Sequence, residues 1–365
     1  MASDLVVPVV QVTNVRPHEN ADKLALCDVL GYQMVIPKDS YKDGDVGVYF
    51  PADTLLPEEW AEKFGVRNFL KGKEKDRVGK IRLRGEPSFG LIARIPDGVS
   101  WGVGDNVAEH FGCKKYEPPI RASAGDAAKY DENLDPLIER YTDIQNGRIF
   151  TEVFQEGEEV VVTEKLHGTN SRVGIVLGVD IFAASMSVRR KRPEKKGVPG
   201  LFVDFDDEEM KANTYWFPWT LKPVQNLINS FCEGDRKVIT LYGEVYGGSV
   251  QSLDYGIPKG RGLGFRAFDL CIDGCYVDWV DFHALCEKYE VPMVPVLYQG
   301  SYSMRKMKEL ADGDTILEGA SHIREGIVVK PVRERLDPKV GRAVVKIIGT
   351  EYELSKHKEK DTKDV

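Results

Sequence analysis

Residues 160–176 read VVVTEKLHGTNSRVGIV, two strand-like runs joined by a short polar turn. The runs 159–163 and 172–177 are rich in β-branched and apolar residues, which favours strands. Gly168 and its small polar neighbours favour a tight connection between them. We therefore predict that Lys165 lies at a strand end, where its amine is either a surface charge or a nucleophile.

Length and composition limit what the chain can be. At 365 residues it is long for a single core, and we predict two domains. Hydrophobic residues make up 42% and charged residues 30%, as in ordinary globular enzymes, and no apolar run reaches the roughly 18–20 residues of a membrane span. The opening MASDLVVPVV lacks a basic segment before an apolar core, so we expect an intracellular, cytoplasmic protein. Six scattered cysteines fit reduced thiols in that setting.

Charge is distributed unevenly along the chain. The formal net charge of −8 argues against a nucleic-acid partner, but residues 67–84 hold eight basic and two acidic residues. Residues 189–196 hold six basic and one acidic residue, while acidic residues concentrate in 131–135 and 204–209. Because a basic face on an acidic protein can attract phosphate backbones, nucleic acid stays open as a partner. A solvated face without a partner is the alternative for either cluster alone.

Turn residues and periodicity divide the chain into a β-rich beginning and a mixed remainder. Residues 1–115 read as short strands with a helical insert at 57–65, which predicts a small β-barrel. Residues 116–147 are rich in Pro, Ala, Asp and Asn and are predicted to be a linker. Residues 148–358 alternate strand-like and helical patterns, and 359–365 form a charged tail. The predicted fold class is α+β.

Residues 16–29, RPHENADKLALCDV, resemble the opening of oligonucleotide-binding (OB) barrels attached to tRNA-binding proteins and synthetases. The resemblance implies an OB-like β-barrel that binds nucleic acid, with a spacer or docking module as the alternative. In the second domain, neither GxGxxG opening a helix nor GxxxxGK[ST] is present, so dinucleotide and P-loop sites lack support.

Four separated segments place charged residues at the edges of apolar strand-like runs. They are EKLHGTN (164–170), LYGEVYG (241–247), EGIVVKP (325–331) and VVKII (344–348). Rigid strands can present such groups into a groove. Their order and spacing resemble motifs I, III, IV and V of the covalent nucleotidyltransferase superfamily of polynucleotide ligases and mRNA capping enzymes. The resemblance implies a mixed α/β, ATP-grasp-like ligase adenylation fold for the second domain.

Within this superfamily, the sequence is most similar to RNA ligases. Lys-x-His-Gly-Thr-Asn followed by Glu-Gly-x-Val-x-Lys-Pro resembles RNA ligases of the RNA ligase 2 type, whereas DNA ligases and capping enzymes usually have aspartate at the position of His167. An OB-like domain placed first resembles the RNA ligase 5 group. The resemblance implies an ATP-dependent RNA ligase that seals 3′-OH/5′-phosphate nicks through a lysyl-adenylate and an adenylylated 5′ end.

The resemblance makes Lys165 the nucleophile, which attacks the α-phosphate of ATP and carries AMP as a phosphoramidate. Since an unperturbed lysine has a pKa of about 10.4, the site must lower that pKa. Arg172, Lys330, Lys346 and a bound divalent cation would do so by like-charge repulsion. Lys330 and Lys346 are also expected to stabilise charge on the α-phosphate.

The resemblance implies roles for the other motif residues. The expected ATP-binding residues are Glu164, Lys165, His167, Gly168, Glu244, Phe268, Lys330 and Lys346. The expected contacts to the nucleic-acid ends are Asn170, Arg172 and Arg189, with Arg190 an alternative to Arg189 for the 5′-phosphate. Glu325 and Glu244 are expected to bind Mg²⁺ or Mn²⁺, since hard cations prefer carboxylate oxygen.

Simpler explanations stay open for several of these residues. Turn formation alone accounts for Gly168 and Asn170, a structural hydrogen bond for His167, and a core position for Phe268. By resemblance, Gly168 lets the backbone approach the nucleotide and Phe268 stacks on adenine.

Motif V usually reads Lys-x-Lys, but here Ile348 stands two positions after Lys346. Either Lys346 acts alone or the alignment shifts by two residues.

Two other functions are alternatives to the ligase. A GTP-dependent capping guanylyltransferase shares the lysine chemistry, but its OB domain normally follows the catalytic domain. A noncatalytic RNA-binding protein would not need the intact lysines and glutamates. We therefore predict a monomeric RNA ligase that acts on a nicked RNA duplex or RNA–DNA hybrid and does not involve a membrane.

Overall fold

The computed structural model describes residues 5–116, 138–186, 188–193, 205–233 and 237–355. The tail predicted at 359–365, most of the predicted linker, the acidic segment 131–135 and the end of the second basic cluster lie outside these residues. The chain divides into two compact units. The larger unit takes residues 121–147 and 151–352, and the smaller takes 3–120, 148–150 and 353–365. Residues 138–147, predicted as linker, thus belong to the larger unit.

The smaller unit is built from short antiparallel strands. They are β1 (Val9–Gln11), β2 (Thr13–Pro17), β3 (Leu24–Val29), β4 (Tyr32–Pro37), β5 (Val46–Phe50), β6 (Thr54–Leu55), β7 (Lys80–Leu83), β8 (Glu86–Phe89), β9 (Leu91–Ala93) and β10 (Lys114–Lys115). Helix α1 (Glu58–Lys63) and a 3₁₀ turn (Arg67–Phe69) lie between β6 and β7. Two three-stranded sheets have the orders β1-β5-β9 and β2-β3-β4. Tyr32, Met34 and Ile36 alternate into the core, as the period of two in strands requires.

The larger unit mixes strands with a few helices. Its strands are β11 (Gln145–Asn146), β12 (Glu159–Glu164), β13 (Thr169–Val176), β14 (Asp180–Ala184), β15 (Arg189–Arg190), β16 (Val238–Tyr246), β17 (Gly264–Ile272), β18 (Cys275–Tyr276), β19 (Val296–Ser301), β20 (Gly326–Pro331), β21 (Leu336–Asp337), β22 (Gly341–Arg342) and β23 (Val345–Ile348). The helices are α2 (Glu208–Ala212), α3 (Lys222–Asn229), α4 (Trp279–Tyr289), α5 (Met304–Ala311) and α6 (Thr350–Ser355), with a 3₁₀ turn at Phe217–Thr220. Helix α6 begins in the larger unit and ends in the smaller.

Two sheets form the larger unit. One has five strands in the order β11-β23-β20-β12-β19, and the other has six in the order β15-β14-β13-β16-β17-β18. Their neighbouring strands pair antiparallel, except for the parallel pair β11–β23. These sheets with few helices confirm the predicted α+β class. Within the described ranges, no helix has the length and apolarity to cross a bilayer.

Helices cover the six-stranded sheet. Helix α3 buries Val224, Leu227 and Ile228, whose spacing places them on one face of a helix. These side chains share a core with Trp219 and with Phe282 of α4. Burial of apolar surface on this scale is the main term that holds the sheet in place.

Candidate active site

Lys165 lies just beyond the end of β12, as predicted. Its backbone N–H donates to the carbonyl of Gly326 at 2.9 Å, which continues the β12–β20 pairing by one residue. This pairing brings Lys165 beside Glu325, and the ammonium Nζ donates to Glu325 Oε2 at 2.8 Å. The Lys165 side chain is 26% exposed and that of Glu325 is 11% exposed. The nucleophile candidate is therefore held in an ion pair at the edge of the protein interior.

Glu325 is held in its ionised form. Burial by itself would raise the pKa of this carboxyl, but the ammonium of Lys165 and the hydrogen-bonded imidazole of His167 outweigh burial and lower the pKa to about 2. His167 Nδ1 lies 3.5 Å from Glu325 Oε2. Glu325 therefore keeps a full negative charge beside Lys165 at neutral pH.

Glu244 and Asn170 face each other on the six-stranded sheet. They are paired residues of β16 and β13, and Glu244 Oε1 accepts from the backbone N–H of Gly168 at 3.0 Å. Burial and the charge of Glu325 raise the pKa of Glu244 to about 8, although Lys165 opposes the shift. Asn170 lies within β13, so it is not part of the turn that follows Lys165. Its Oδ1 is buried and has no hydrogen-bond partner among the described residues.

A cavity of about 240 Å³ opens between the two sheets. Thr163, Val328 and Lys346 are paired across β12, β20 and β23, so they share the face of the five-stranded sheet that lines it. From the six-stranded sheet and the segment before β11, the lining residues include Asn170, Glu244, Phe268, Tyr141, Thr142 and Ile144. Glu164, Lys165 and Lys330 complete the predicted residues that line it. Charged groups from four separated motifs thus meet at one apolar cavity.

Phe268 reaches the cavity because β17 carries one extra residue. Tyr242 pairs with Asp269, whereas the next residue, Gly243, pairs with Ala267, so Phe268 is left unpaired in a bulge. Bulges re-aim side chains and are frequent beside active sites. The irregular register therefore gives Phe268 a place on the cavity wall, and adenine stacking stays a prediction.

Lys330 is part of a buried charge network that the sequence motifs did not reveal. Its Nζ donates to Asp269 Oδ1 at 2.6 Å and to the carbonyl of Phe268 at 2.7 Å. Arg342 donates two hydrogen bonds to Asp269, at 2.8 and 3.0 Å, and another to Glu334 at 2.7 Å. Burial would raise the pKa of Asp269, but Lys330 and Arg342 hold it well below its usual range. The sequence feature that could have revealed this network is a single carboxylate, Asp269, inside the apolar run of β17.

Asp269 changes the expected role of Lys330. An ammonium group has three N–H donors, and two of those on Lys330 are already used within the protein. Its positive charge is offset by Asp269, which weakens the like-charge repulsion that the sequence suggested it would exert on Lys165. One donor remains for a ligand in the cavity that Lys330 lines.

Lys346 and Ile348 share one face of β23. Lys346 pairs with Val328, and Ile348 pairs with Gly326, next to Lys165. Since alternate residues of a strand face the same side, Ile348 holds the position of the usual second lysine. Lys346 therefore lines the cavity without a second motif V lysine beside it.

Two motif residues have structural reasons to be present. A Cβ on Gly168 would lie 2.2 Å from the carbonyl oxygen of Val245, so only glycine lets the turn pack against β16. The buried carboxylate of Glu164 accepts from Thr315 Oγ1 at 2.5 Å and from the backbone N–H of Ile316 at 3.0 Å. These contacts fix the chain on either side of Lys165, and nucleotide contacts of both residues stay predictions.

The arginines predicted at the nucleic-acid ends are buried. Arg172 donates to the carbonyls of Ser185 and Glu139 at 2.8 and 2.6 Å, and Arg189 donates to the carbonyl of Ile138 at 2.7 Å.

Each of these two arginines is only 1% exposed. Arg189 and Arg172 both pair with Ala184, so they share a face of the sheet, while Arg190 lies over the Tyr215 ring at 4.4 Å. The register therefore favours Arg189 over Arg190 as the residue on the cavity face of the sheet. Backbone carbonyl groups hold both buried guanidinium groups, and contacts of either arginine to phosphate stay predictions.

In the smaller unit, part of the basic stretch 67–84 is neutralised. Arg67 forms ion pairs with Glu58 and Glu62, and Lys80 pairs with Glu353. The basic residues of this stretch that are exposed are Lys73, Lys75, Arg82 and Arg84. These four carry the remaining positive surface of the stretch.

Comparison with known proteins agrees with the fold. The RNA ligase family profile matches residues 158–348, just over half of the chain, and an OB-fold domain profile matches residues 6–95. No curated protein sequence matches the chain. The OB-fold match confirms the predicted fold of the first domain.

Solved structures of one RNA ligase share this fold across both units. Naegleria gruberi RNA ligase with PPi is 23% identical with a TM-score of 0.69, over 97% of this chain and 99% of that chain. The apo form of a variant of that ligase is 22% identical with a TM-score of 0.70, over 98% and 100%. Another variant, with AMP and Mn, is 23% identical with a TM-score of 0.69, over 97% and 99%. Together with the family match across all four motifs, these findings show that the chain belongs to the RNA ligase family of the nucleotidyltransferase superfamily.

Proposed function

We propose that the chain is an ATP-dependent RNA ligase that seals 3′-OH/5′-phosphate nicks through a lysyl-adenylate. The observation that carries the proposal is the Lys165–Glu325 pair at the edge of a cavity lined by Lys330, Lys346 and Phe268. An amine, two cations and an aromatic ring are the groups that a nucleotide α-phosphate and its base require. The Naegleria gruberi ligase structures with ATP, or with AMP, and Mn support this choice of nucleotide.

The first proposed step forms a bond from Lys165 Nζ to the α-phosphorus of ATP and breaks the bond to pyrophosphate. Lys165 must first release a proton to solvent, which reaches its 26% exposed side chain, because an ammonium nitrogen has no lone pair for attack. Glu325 holds Nζ in place, and Lys346 and the remaining donor of Lys330 stabilise the charge that develops on the phosphoryl oxygens.

Glu325 and Glu244 fit a hard divalent cation. Mg²⁺ is commonly held by one or two carboxylates together with substrate phosphates, and the described residues contain no cluster of three or more ligands that would hold it without substrate. Burial and the charge of Glu325 raise the pKa of Glu244, so a cation bound here would favour the ionised carboxylate. The cation would supply charge neutralisation at the phosphates.

In the next two steps, AMP passes from Lys165 to the 5′-phosphate, and the 3′-OH then attacks that phosphorus and releases AMP. Asn170 offers an unpartnered amide oxygen at the same cavity, which suits a hydroxyl donor such as the 3′-OH. We propose that the smaller unit binds the duplex through the exposed basic residues of 67–84. We also propose that the enzyme acts as a monomer.

Sealing of synthetic nicks tests the function. Four nicked duplexes combine RNA or DNA on the 3′-OH side with RNA or DNA on the 5′-phosphate side, each with ATP or GTP and with Mg²⁺ or Mn²⁺. We expect ATP-dependent sealing that requires RNA at the 3′-OH end. Equal sealing of the all-DNA nick would overturn the RNA-ligase assignment, and GTP dependence would favour a capping enzyme.

A further inference from the structure

The loop between β16 and β17, residues 248–262, is compact and closed on itself. The backbone N–H of Gly248 donates to the carbonyl of Ile257 at 2.8 Å, and the N–H of Gly260 donates to Ser249 Oγ at 3.1 Å. A Cβ on Gly248 would lie 2.6 Å from the backbone nitrogen of Lys259. The two limbs of the loop therefore pack backbone to backbone, which fixes its tip relative to the end of β16.

Tyr255 attaches this loop to the turn that follows Lys165. The ring is 2% exposed, and its hydroxyl accepts from the backbone N–H of His167 at 2.7 Å. Ser252 Oγ of the same loop lies 3.3 Å from His167 Nε2. Tyr255 adopts a left-handed backbone with φ of 49°, a conformation that costs energy for a bulky residue and persists only where the surroundings enforce it.

A second attachment joins the loop to the segment that leads to Glu325. A Cβ on Gly256 would lie 2.6 Å from the carbonyl oxygen of Gly319, and the His322 ring meets Tyr255 edge-on at 4.5 Å. The loop is thus fixed to both chain segments that carry the Lys165–Glu325 pair. Its outer surface has a set position relative to the reacting amine.

The tip of the loop presents two cations to solvent. Lys259 and Arg261 are exposed, and neither side chain has a hydrogen bond or ion pair with any other described residue. The acidic residue of the loop, Asp254, is engaged in a turn through the N–H of Gly256 at 3.0 Å. The contrast with the buried, carbonyl-bound Arg172 is clear: these two cations are available to a partner.

We infer that the 248–262 loop binds RNA backbone phosphates beside the break, through Lys259 and Arg261. The inference rests on the proposed function, because the loop contacts RNA beside the break only if an RNA end binds at Lys165. Gly260 lies between the two cations and Gly262 follows Arg261, so a phosphate strand can approach the backbone closely. The tip offers charge without an exposed aromatic ring, which fits phosphate binding without base recognition.

The expected effect follows from counterion release. Each phosphate neutralised on a duplex contributes about −0.9 to the slope of log K against log salt concentration. Loss of both contacts should make the slope about 1.8 less steep. Between 50 and 200 mM salt, the wild-type protein should then lose about tenfold more affinity than the variant.

The test measures binding of a fluorescent nicked RNA duplex to the full chain without ATP or divalent metal, over a series of salt concentrations. The variant is K259Q/R261Q. The matched control is K288Q/R333Q, which makes the same charge change at two other exposed residues. Lys288 lies in α4, and Arg333 follows the end of β20 that is remote from Lys165. Lysine adenylation without RNA is measured in parallel for all three proteins.

A shallower slope for the loop variant alone, with adenylation within about twofold of wild type, supports the inference. Equal slopes for the loop variant and the wild type overturn it, and so does an equal change in the control pair. Loss of adenylation in the loop variant also overturns it, because the loop would then act on the site itself. Failure of the proposed function is a separate result, namely no adenylation of the wild type.

Discussion

Asp269→Asn is the change whose effect the structure predicts most sharply. The Asp269 side chain is 2% exposed and forms ion pairs with Lys330 and Arg342, whose side chains are 4% and 6% exposed. Removing one partner of a buried ion pair costs about 3–5 kcal/mol, because a buried charge loses its counterion. Arg342 still has Glu334 as a counterion, so most of the lost stability comes from Lys330, whose charge is left without a partner. We therefore expect the lower end, about 3 kcal/mol of unfolding free energy, or roughly 150-fold in the equilibrium constant.

Urea unfolding of the wild type and the variant, followed by intrinsic fluorescence, measures this change. Glu334→Gln is the matched control, because Arg342 then still keeps its two hydrogen bonds to Asp269. The control should cost about 1 kcal/mol. The reasoning is refuted if Asp269→Asn costs less than 1 kcal/mol, or if the control costs as much as the variant.

The same pair predicts a pH dependence of stability. The folded pKa of Asp269 is held well below its usual range, so on acidification the unfolded chain binds this proton first. The stability that ionised Asp269 contributes is therefore fully present above about pH 5. It fades as the pH falls below the aspartate pKa of the unfolded chain, about 3.9. The stability gap between wild type and Asp269→Asn should shrink on acidification, and a gap that widened would contradict the assignment.

The activity gap between wild type and Asp269→Asn should also shrink on acidification, but for a different reason. Burial lowers the pKa of Lys330, and Asp269 opposes this shift more than any other group. Without Asp269 the pKa falls further, so Lys330 loses its charge as pH rises. Lysine adenylation by the variant should be closest to wild type at low pH, and a constant ratio of the two rates across pH would count against this role for Lys330.

Three further changes test other contacts of the site. Gly168→Ala should cost about 1–3 kcal/mol in urea unfolding, because the new Cβ would lie 2.2 Å from the Val245 carbonyl, and no loss would contradict the packing. Glu325→Gln should slow adenylation about 100-fold, since Lys165 loses the carboxylate that holds Nζ in place and the proposed metal site loses a ligand, whereas a wild-type rate would exclude both roles. Tyr255→Phe should cost about 1–3 kcal/mol by leaving a backbone N–H in the turn after Lys165 unpaired, and unchanged unfolding would show that this bond contributes nothing.

The sequence predicted residues whose position follows from local pattern. Lys165 and Glu325 stand at the ends of apolar strand runs, and strand pairing then brings them within 2.8 Å. The predicted strands around them, and the helical insert at 57–65, match the observed elements.

Features that depend on register or long-range contact could not be predicted in this way. The bulge that turns Phe268 into the cavity depends on how β17 pairs with β16. Asp269 and Arg342 are 73 residues apart, and neither belongs to a motif. The carbonyl groups to which the buried guanidinium of Arg172 donates belong to Ser185 and Glu139, and neither of these residues lies in a motif.

The central claim is that Lys165 is the nucleophile. The full chain is incubated with α-labelled ATP and Mg²⁺, digested, and mapped by mass spectrometry, with Lys165→Ala in parallel. The account predicts one AMP-bearing peptide, which contains Lys165, and no label in the variant. Label on another residue, or label that persists in Lys165→Ala, would contradict it.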